Sequence, residues 1–232
     1  MKIDVLADAD AVAQQAAAVI AAAARDAVAA RGRFTLAVSG GHTPWVMLRA
    51  LAALQVPWDQ VHLFQVDERV APPGDPDRNL THLQESLLTR VALRPEQVHA
   101  MPVEAPDLNQ AARQYAQVLE KTAGAPPVLD LVHLGLGPDG HTASLVPGDP
   151  VLEVADADVA LTGVYMKRRR MTLTYPVVNR ARRILWVVTG SEKAGPLVRL
   201  RDGDHSIPAG RVRQDQAVVL ADRVAASQLG SP

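Results

Sequence analysis

The chain contains no cysteine. Disulfides and thiol nucleophiles are therefore excluded outright, and the composition fits a reducing compartment. Aromatic residues make up only 3% of the 232 positions, and neither sign of charge dominates: Lys and Arg number 24, Asp and Glu 25, for a net charge of −1. That balance argues against a dedicated partner such as nucleic acid or an anionic membrane. No apolar run approaches the roughly 20 residues needed to span a bilayer; the Ala-rich stretch 16–24 leads straight into Arg25 and Asp26. The opening MKIDVLADADAVAQQ carries acids early and lacks the apolar core of a signal peptide, so a cytoplasmic location is expected. No His-Glu-x-x-His or equivalent ligand spacing occurs, so no metal is expected.

What is present is an apolar fraction of 48%, enough to build a sizeable core from Ala, Val and Leu. Apolar runs alternate with helical patterns along most of the chain. This predicts an α/β fold: one domain over 1–232, with a mostly parallel, Rossmann-like sheet and helices on both faces. Strands are expected over 3–6, 34–38, 61–66, 129–134, 184–189 and 217–221, with an edge strand at 98–101. Helices are expected at about 9–30, from 44, at 80–90, at 107–121 and briefly at the end. Two short strands, 159–164 and 171–174, flank Lys167, Arg168, Arg169 and Arg170 and predict a small antiparallel lobe. Three of those four cations, 167–169, read as a solvated hairpin tip.

The stretch 128–148, VLDLVHLGLGPDGHTASLVPG, organises the chain. A run buried on both faces, as parallel strands are, passes into a turn containing Gly135, Gly137 and Gly140. The spacing of these glycines matches a dinucleotide fingerprint. That fingerprint requires a long helix directly after the turn, and Pro147, Gly148 and Pro150 leave no room for one. Asp139 and His141 instead flank Gly140, which would leave the backbone open to a ligand. A carboxylate two residues from a histidine, on a glycine turn past a buried strand, reads as a site; the alternative is a tight turn with a surface histidine.

Three other strand ends carry candidate groups. Ser39, Gly40 and Gly41 lead into a helix start with Thr43 as its cap and Pro44 at the first position. Exposed N–H groups there, beside the positive end of the helix dipole, can receive an anion; the alternative is an ordinary connecting turn, with His42 as local structure. The turn is neither a Walker loop nor a nucleophile elbow, since Ala37 stands where the elbow needs glycine. Asp67, Glu68 and Arg69 end the third strand. Alternation puts Asp67 and Arg69 on one side and Glu68 on the other. The Pro- and Asp-rich loop 71–79 follows, of a kind that often borders sites. Lys193 lies in a small-residue turn past 184–189, where it is either a surface lysine or a point charge for a phosphate.

GLGPDGHTASLVPG (135–148) is similar to the signature of the 6-phosphogluconolactonases. LAVSGGHTP (36–44), QVDERV (65–70), RMTLTYPVVNRAR (170–182) and VTGSEKA (188–194) resemble further blocks of that family, in the family's order. The resemblance places the chain in the superfamily that also holds glucosamine-6-phosphate deaminases and ribose-5-phosphate isomerases. It implies hydrolysis of a sugar-phosphate lactone, 6-phosphogluconolactone, to 6-phosphogluconate in the oxidative pentose phosphate pathway, without metal or cofactor. In this reading neutral His141, whose reference pKa is about 6.5, takes a proton from water. Asp139 orients it, and N–H groups between Gly137 and Gly140 steady the oxyanion. Ser39, Gly40, Gly41, Arg69 and Lys193, with Arg170 as a further candidate, hold the phosphate.

Two other functions are consistent with parts of the pattern. In an amino-sugar phosphate isomerase or deaminase, Asp67 would be the proton-abstracting base. In that family Tyr follows Asp-Glu and an Asn-Glu pair follows the histidine, whereas this chain has Arg69 and His141-Thr142-Ala143-Ser144. The third reading is a sugar-phosphate binding module without turnover.

Overall fold

The computed structural model describes residues 1–230. The first half alternates strand and helix: β1 (Lys2–Leu6), α1 (Ala9–Arg31), β2 (Phe34–Val38), α2 (His42–Ala52), β3 (Val61–Gln65), β4 (Asp67–Arg69), α3 (Asn79–Leu83), β5 (Val98–His99) and α4 (Leu108–Ala123). The second half continues with β6 (Leu131–Gly135), β7 (Val159–Leu161), β8 (Arg170–Leu173), α5 (Tyr175–Arg180), β9 (Ile184–Val188), α6 (Ala194–Arg201) and β10 (Ala217–Asp222). Asp8 caps α1 by accepting from the Ala11 N–H, and Gly32, in the left-handed region, ends it. Asp107 caps α4 in the same way.

Seven strands form a parallel sheet in the order β1-β10-β9-β6-β2-β3-β5. From β2 the chain moves outward to β3 and β5. It then returns to β6 beside β2 and moves the other way through β9 and β10. The direction reverses between β2 and β6, and a crevice opens at the carboxyl ends of those two strands, where ligands of such sheets bind. The strands alternate between two cores. Ala37, Phe64, Val132 and Trp186 face α4 and α6, while Leu36, Leu63, Leu131 and Leu185 face α1 and α2. Helices therefore cover both faces, and the strands read as continuous apolar runs.

The small lobe is a three-stranded antiparallel sheet, β4-β8-β7. Its third strand was not expected. Residues 67–69 do not prolong β3: the chain breaks at Val66, whose N–H bonds to Val38 and whose carbonyl accepts from Leu173. Asp67–Arg69 then pairs with Arg170–Thr172. Other boundaries shift too. Helix α2 starts at His42 with Gly41 as cap residue and no side-chain cap, so Thr43 does not cap it; its hydroxyl meets Thr189 at 2.7 Å. The helix expected over 80–90 is α3 followed by a π-helical turn over Gln84–Leu88. The expected terminal helix is instead a run of turns over 223–228. Among the described residues, no helix is long and apolar enough to cross a membrane.

Candidate active site

A cleft of about 370 Å³ opens over the reversal point. The turn after β2 supplies Ser39 to Thr43, β4 supplies Asp67 and Arg69, and the turn after β6 supplies Gly137 and His141. Arg170 of β8 and Lys193, past β9, complete the wall. The four strand-end turns singled out in the sequence thus meet in one place. Asp139 and Gly140 stand behind this surface.

No helix follows the glycine turn: residues 136–149 are turn and loop. Gly137 is required there by close approach, since a Cβ on it would lie 2.1 Å from His141 Nδ1. The imidazole lies on this bare backbone, and Asp139 Oδ1 holds Nδ1 at 2.5 Å while accepting the His141 N–H at 3.1 Å. With Nδ1 occupied by the carboxylate, Nε2 is the nitrogen free to accept a proton. Burial would raise the Asp139 carboxyl. Hydrogen bonds from the His141 N–H, the imidazole and the Tyr165 hydroxyl, with the His141 charge, outweigh it and leave the group below its ordinary value. Gly140 does not leave room for a ligand: a Cβ there would strike Ile207 at 2.6 Å. The Gly137 and Gly140 N–H groups are also committed, to the carbonyls of His141 and Gly137 at 2.8 and 3.0 Å.

Alternation on β4 separates its two acids as expected. Glu68 is fully buried and accepts from the N–H groups of Arg69, Asn79 and Leu80 at 2.7 to 2.8 Å, from Gln65 at 2.9 Å, and pairs with Arg78 at 3.2 Å. It therefore ties the strand to the start of α3. Asp67 faces the cleft and accepts from Ser144 Oγ at 2.6 Å and Asn79 Nδ2 at 3.2 Å.

Arg69 and Arg170 are directly opposite in the β4–β8 register. Like charges so placed repel. Among the described residues, neither guanidinium has a carboxylate within ion-pair distance. Arg69 donates to the Asp77 carbonyl at 2.6 Å and Asn79 Oδ1 at 3.0 Å. Arg170 has only the Ser144 hydroxyl at 3.4 Å and the Tyr165 ring at 4.9 Å. Burial first, and then Arg69, push the Arg170 guanidinium below its ordinary value. Asp67 and Asp77 act on Arg170 only at longer range, so two cations line a polar cleft without a paired carboxylate among the described residues. Lys193, four-fifths buried, has Glu192 at 3.5 Å.

Ser39 takes a structural position. Its N–H bonds to His133 Nδ1 at 3.2 Å and its hydroxyl to the His133 carbonyl at 3.1 Å, across the β2–β6 reversal. In this turn the Ser39 donors are committed, and the N–H groups past it are the ones left to face the cleft. Burial pushes His133 down to about 3, so the folded protein refuses a proton that the unfolded chain takes up below 6.5. Stability is complete above that value and is lost as pH falls from 6.5 toward about 3. His99, lowered to about 4 by burial and then by His62, acts in the same direction. At pH ~4.5 the His133 contribution amounts to a loss of about 2–3 kcal/mol. Melting curves at neutral and acid pH should show a larger acid loss in the parent than in His133→Gln, and equal losses would refute this account.

The residues that sequence reasoning missed are Asn79, His133, Ser144, Thr189 and Tyr165. Asn79 ends the Pro/Asp-rich loop already marked as a site border, and Ser144 and Thr189 lie within the family-like blocks 135–148 and 188–194; His133 and Tyr165 carry no local pattern. Among the described residues no cluster of three or more His, Cys, Asp or Glu is placed to hold a metal ion.

A family model described as glucosamine-6-phosphate isomerases/6-phosphogluconolactonase matches residues 7–221. A protein of Synechocystis sp. named 6-phosphogluconolactonase is 37% identical over 83% of this chain and 81% of its own length. One of the same name from Mycobacterium tuberculosis is 37% identical over 99% of this chain and 98% of its own. The solved structure of a 6-phosphogluconolactonase from Thermotoga maritima superposes with a TM-score of 0.84 at 27% identity, covering 95% of this chain and 98% of that one.

Proposed function

The chain belongs to the glucosamine-6-phosphate isomerase/6-phosphogluconolactonase family, and from that premise we propose that it hydrolyses 6-phosphogluconolactone to 6-phosphogluconate through a water activated by His141. The observation that carries this reading is the Asp139–His141 pair at 2.5 Å, opening on a cleft whose two arginines, Arg69 and Arg170, make no ion pair among the described residues. His141 Nε2 takes a proton from water as the oxygen attacks the lactone carbonyl. Asp139 holds the Nδ1 proton and stabilises the imidazolium. The tetrahedral intermediate collapses with cleavage of the ring C–O bond, and His141 returns its proton to the departing ring oxygen. The products are a hydroxyl and a carboxylic acid, which gives up its proton to solvent as the carboxylate.

The Gly137 and Gly140 N–H groups are occupied, so the developing oxyanion needs another donor. Arg170 suits it: the side chain is buried, its Nε is without a partner, and Tyr165 links it to the His141 end of the cleft. Arg69, Lys193 and the N–H groups of Gly40 and Gly41 are assigned to the phosphate. The start of α2 adds its dipole there.

The family also contains deaminases, and Asp67 stands in the cleft, so both chemistries belong in the test. Freshly made 6-phosphogluconolactone is followed in a pH-stat with spontaneous opening subtracted, and glucosamine 6-phosphate is followed for ammonia release. Lactone hydrolysis well above background with no ammonia is the expected result. Ammonia release faster than lactone hydrolysis would reverse the assignment, and binding of both without turnover would leave a binding module.

A further inference from the structure

We propose that Tyr165 is a positioning residue for the hydrolytic step, its hydroxyl fixing the Asp139 carboxylate so that the other oxygen faces His141. The proposal rests on the lactonase reading. Tyr165 Oη donates to Asp139 Oδ2 at 3.1 Å, while Oδ1 is on His141 Nδ1. A carboxylate with one oxygen free can rotate; one tied at both oxygens cannot. The ring adds a second constraint. It meets His141 edge-on with centroids 5.6 Å apart, and the Arg170 guanidinium lies 4.9 Å from its centroid. One side chain therefore touches the orienting acid, the base and the oxyanion candidate.

The hairpin that carries Tyr165 is itself fastened. Tyr165 and Arg168 exchange backbone hydrogen bonds at 3.0 and 3.2 Å across a two-residue turn, Met166 and Lys167, both with positive φ. Arg168 is paired with Asp75 at 3.0 Å and Asp77 at 3.2 Å. The Asp77 carbonyl in turn holds Arg69. What the sequence presents as a solvated basic tip is thus anchored to the loop that borders the cleft. Burial, then the Asp139 charge, raise the Tyr165 phenol above its ordinary value, so it remains a donor through the neutral range.

The charged groups facing this unit are Asp139 and His141 in the turn after β6, Arg170 on β8, Asp67 and Arg69 on β4, Lys193 across the cleft, and Arg168 of the hairpin with Asp75 and Asp77 of the bordering loop. All are common to the parent and to Tyr165→Phe, which keeps the ring and removes only the hydroxyl. Without that donor Asp139 is a stronger acceptor and holds the imidazolium more tightly. The rising limb of kcat against pH should therefore move to higher pH, with the plateau lower by about threefold to tenfold. KM for the lactone should change by less than about twofold, since the phosphate contacts are untouched. A ¹⁵N-histidine titration of the same variant should show the same upward move for His141.

Parental kcat with an unmoved limb would overturn the proposal, and so would an equal loss at every pH accompanied by a lowered melting temperature. A parent that does not hydrolyse the lactone would overturn the functional reading and this inference with it. A parent that hydrolyses it, beside an unaffected Tyr165→Phe, would overturn the inference alone.

Discussion

His141→Gln is expected to lower kcat by about 10²–10⁴-fold, the usual contribution of a general base. Glutamine keeps hydrogen-bonding capacity but cannot accept a proton near neutral pH. The side chain lies on the bare backbone of Gly137, is one-fifth exposed, and has Asp139 as its polar partner. Glutamine fills much of the same space and can keep a hydrogen bond to Asp139, so the fold should survive and phosphate-ligand binding should change little. In the parent, kcat should rise with pH as the imidazole loses its proton, because only the neutral ring accepts one from water. Asp139→Asn should cost less than His141→Gln, since an orienting group is not the base. Circular dichroism, a melting curve and kcat on the same His141→Gln sample decide the matter. A stable variant with parental kcat would sink the mechanism, whatever the family.

Lys193→Ala and Arg69→Ala should each weaken use of the phosphorylated lactone by about tenfold to a hundredfold, as a hydrogen bond to a charged group contributes about 1.5–3 kcal/mol. The loss should appear mainly in kcat/KM. Gluconolactone lacking the phosphate should be a poor substrate for the parent and little changed in either variant. Lys193→Ala is the cleaner of the two. Arg69 also holds the Asp77 carbonyl and Asn79, so its removal loosens the loop that carries them. Equal losses on both substrates in both variants would show that these cations serve the fold and not the phosphate.

The sequence by itself determined the layered architecture and most of the turns that meet in the cleft. Both are local properties. Continuous apolar runs between helical patterns specify a parallel sheet covered on both faces, and they do so without knowledge of the neighbours. The Asp139–His141 pair was legible for the same reason: only Gly140 separates them, so backbone geometry brings them together. Alternation along 67–69 likewise separated Asp67 from Glu68 before any coordinate was known.

Only the tertiary structure decided which groups are free to act. Ser39 looks like an anion donor until His133, 94 positions away, takes its N–H and hydroxyl. The Gly137 and Gly140 N–H groups look available until the turn closes on itself. Residues 67–69 read as the end of β3, yet they leave the main sheet and pair with β8, about a hundred residues later, which sets Arg69 beside Arg170. Tyr165, on a hairpin that reads as solvated charge, reaches Asp139 across 26 positions. The physical reason is the same in each case. A hydrogen bond between distant segments leaves no periodicity in either of them, so the partner that commits or frees a polar group is fixed only when the chain has packed.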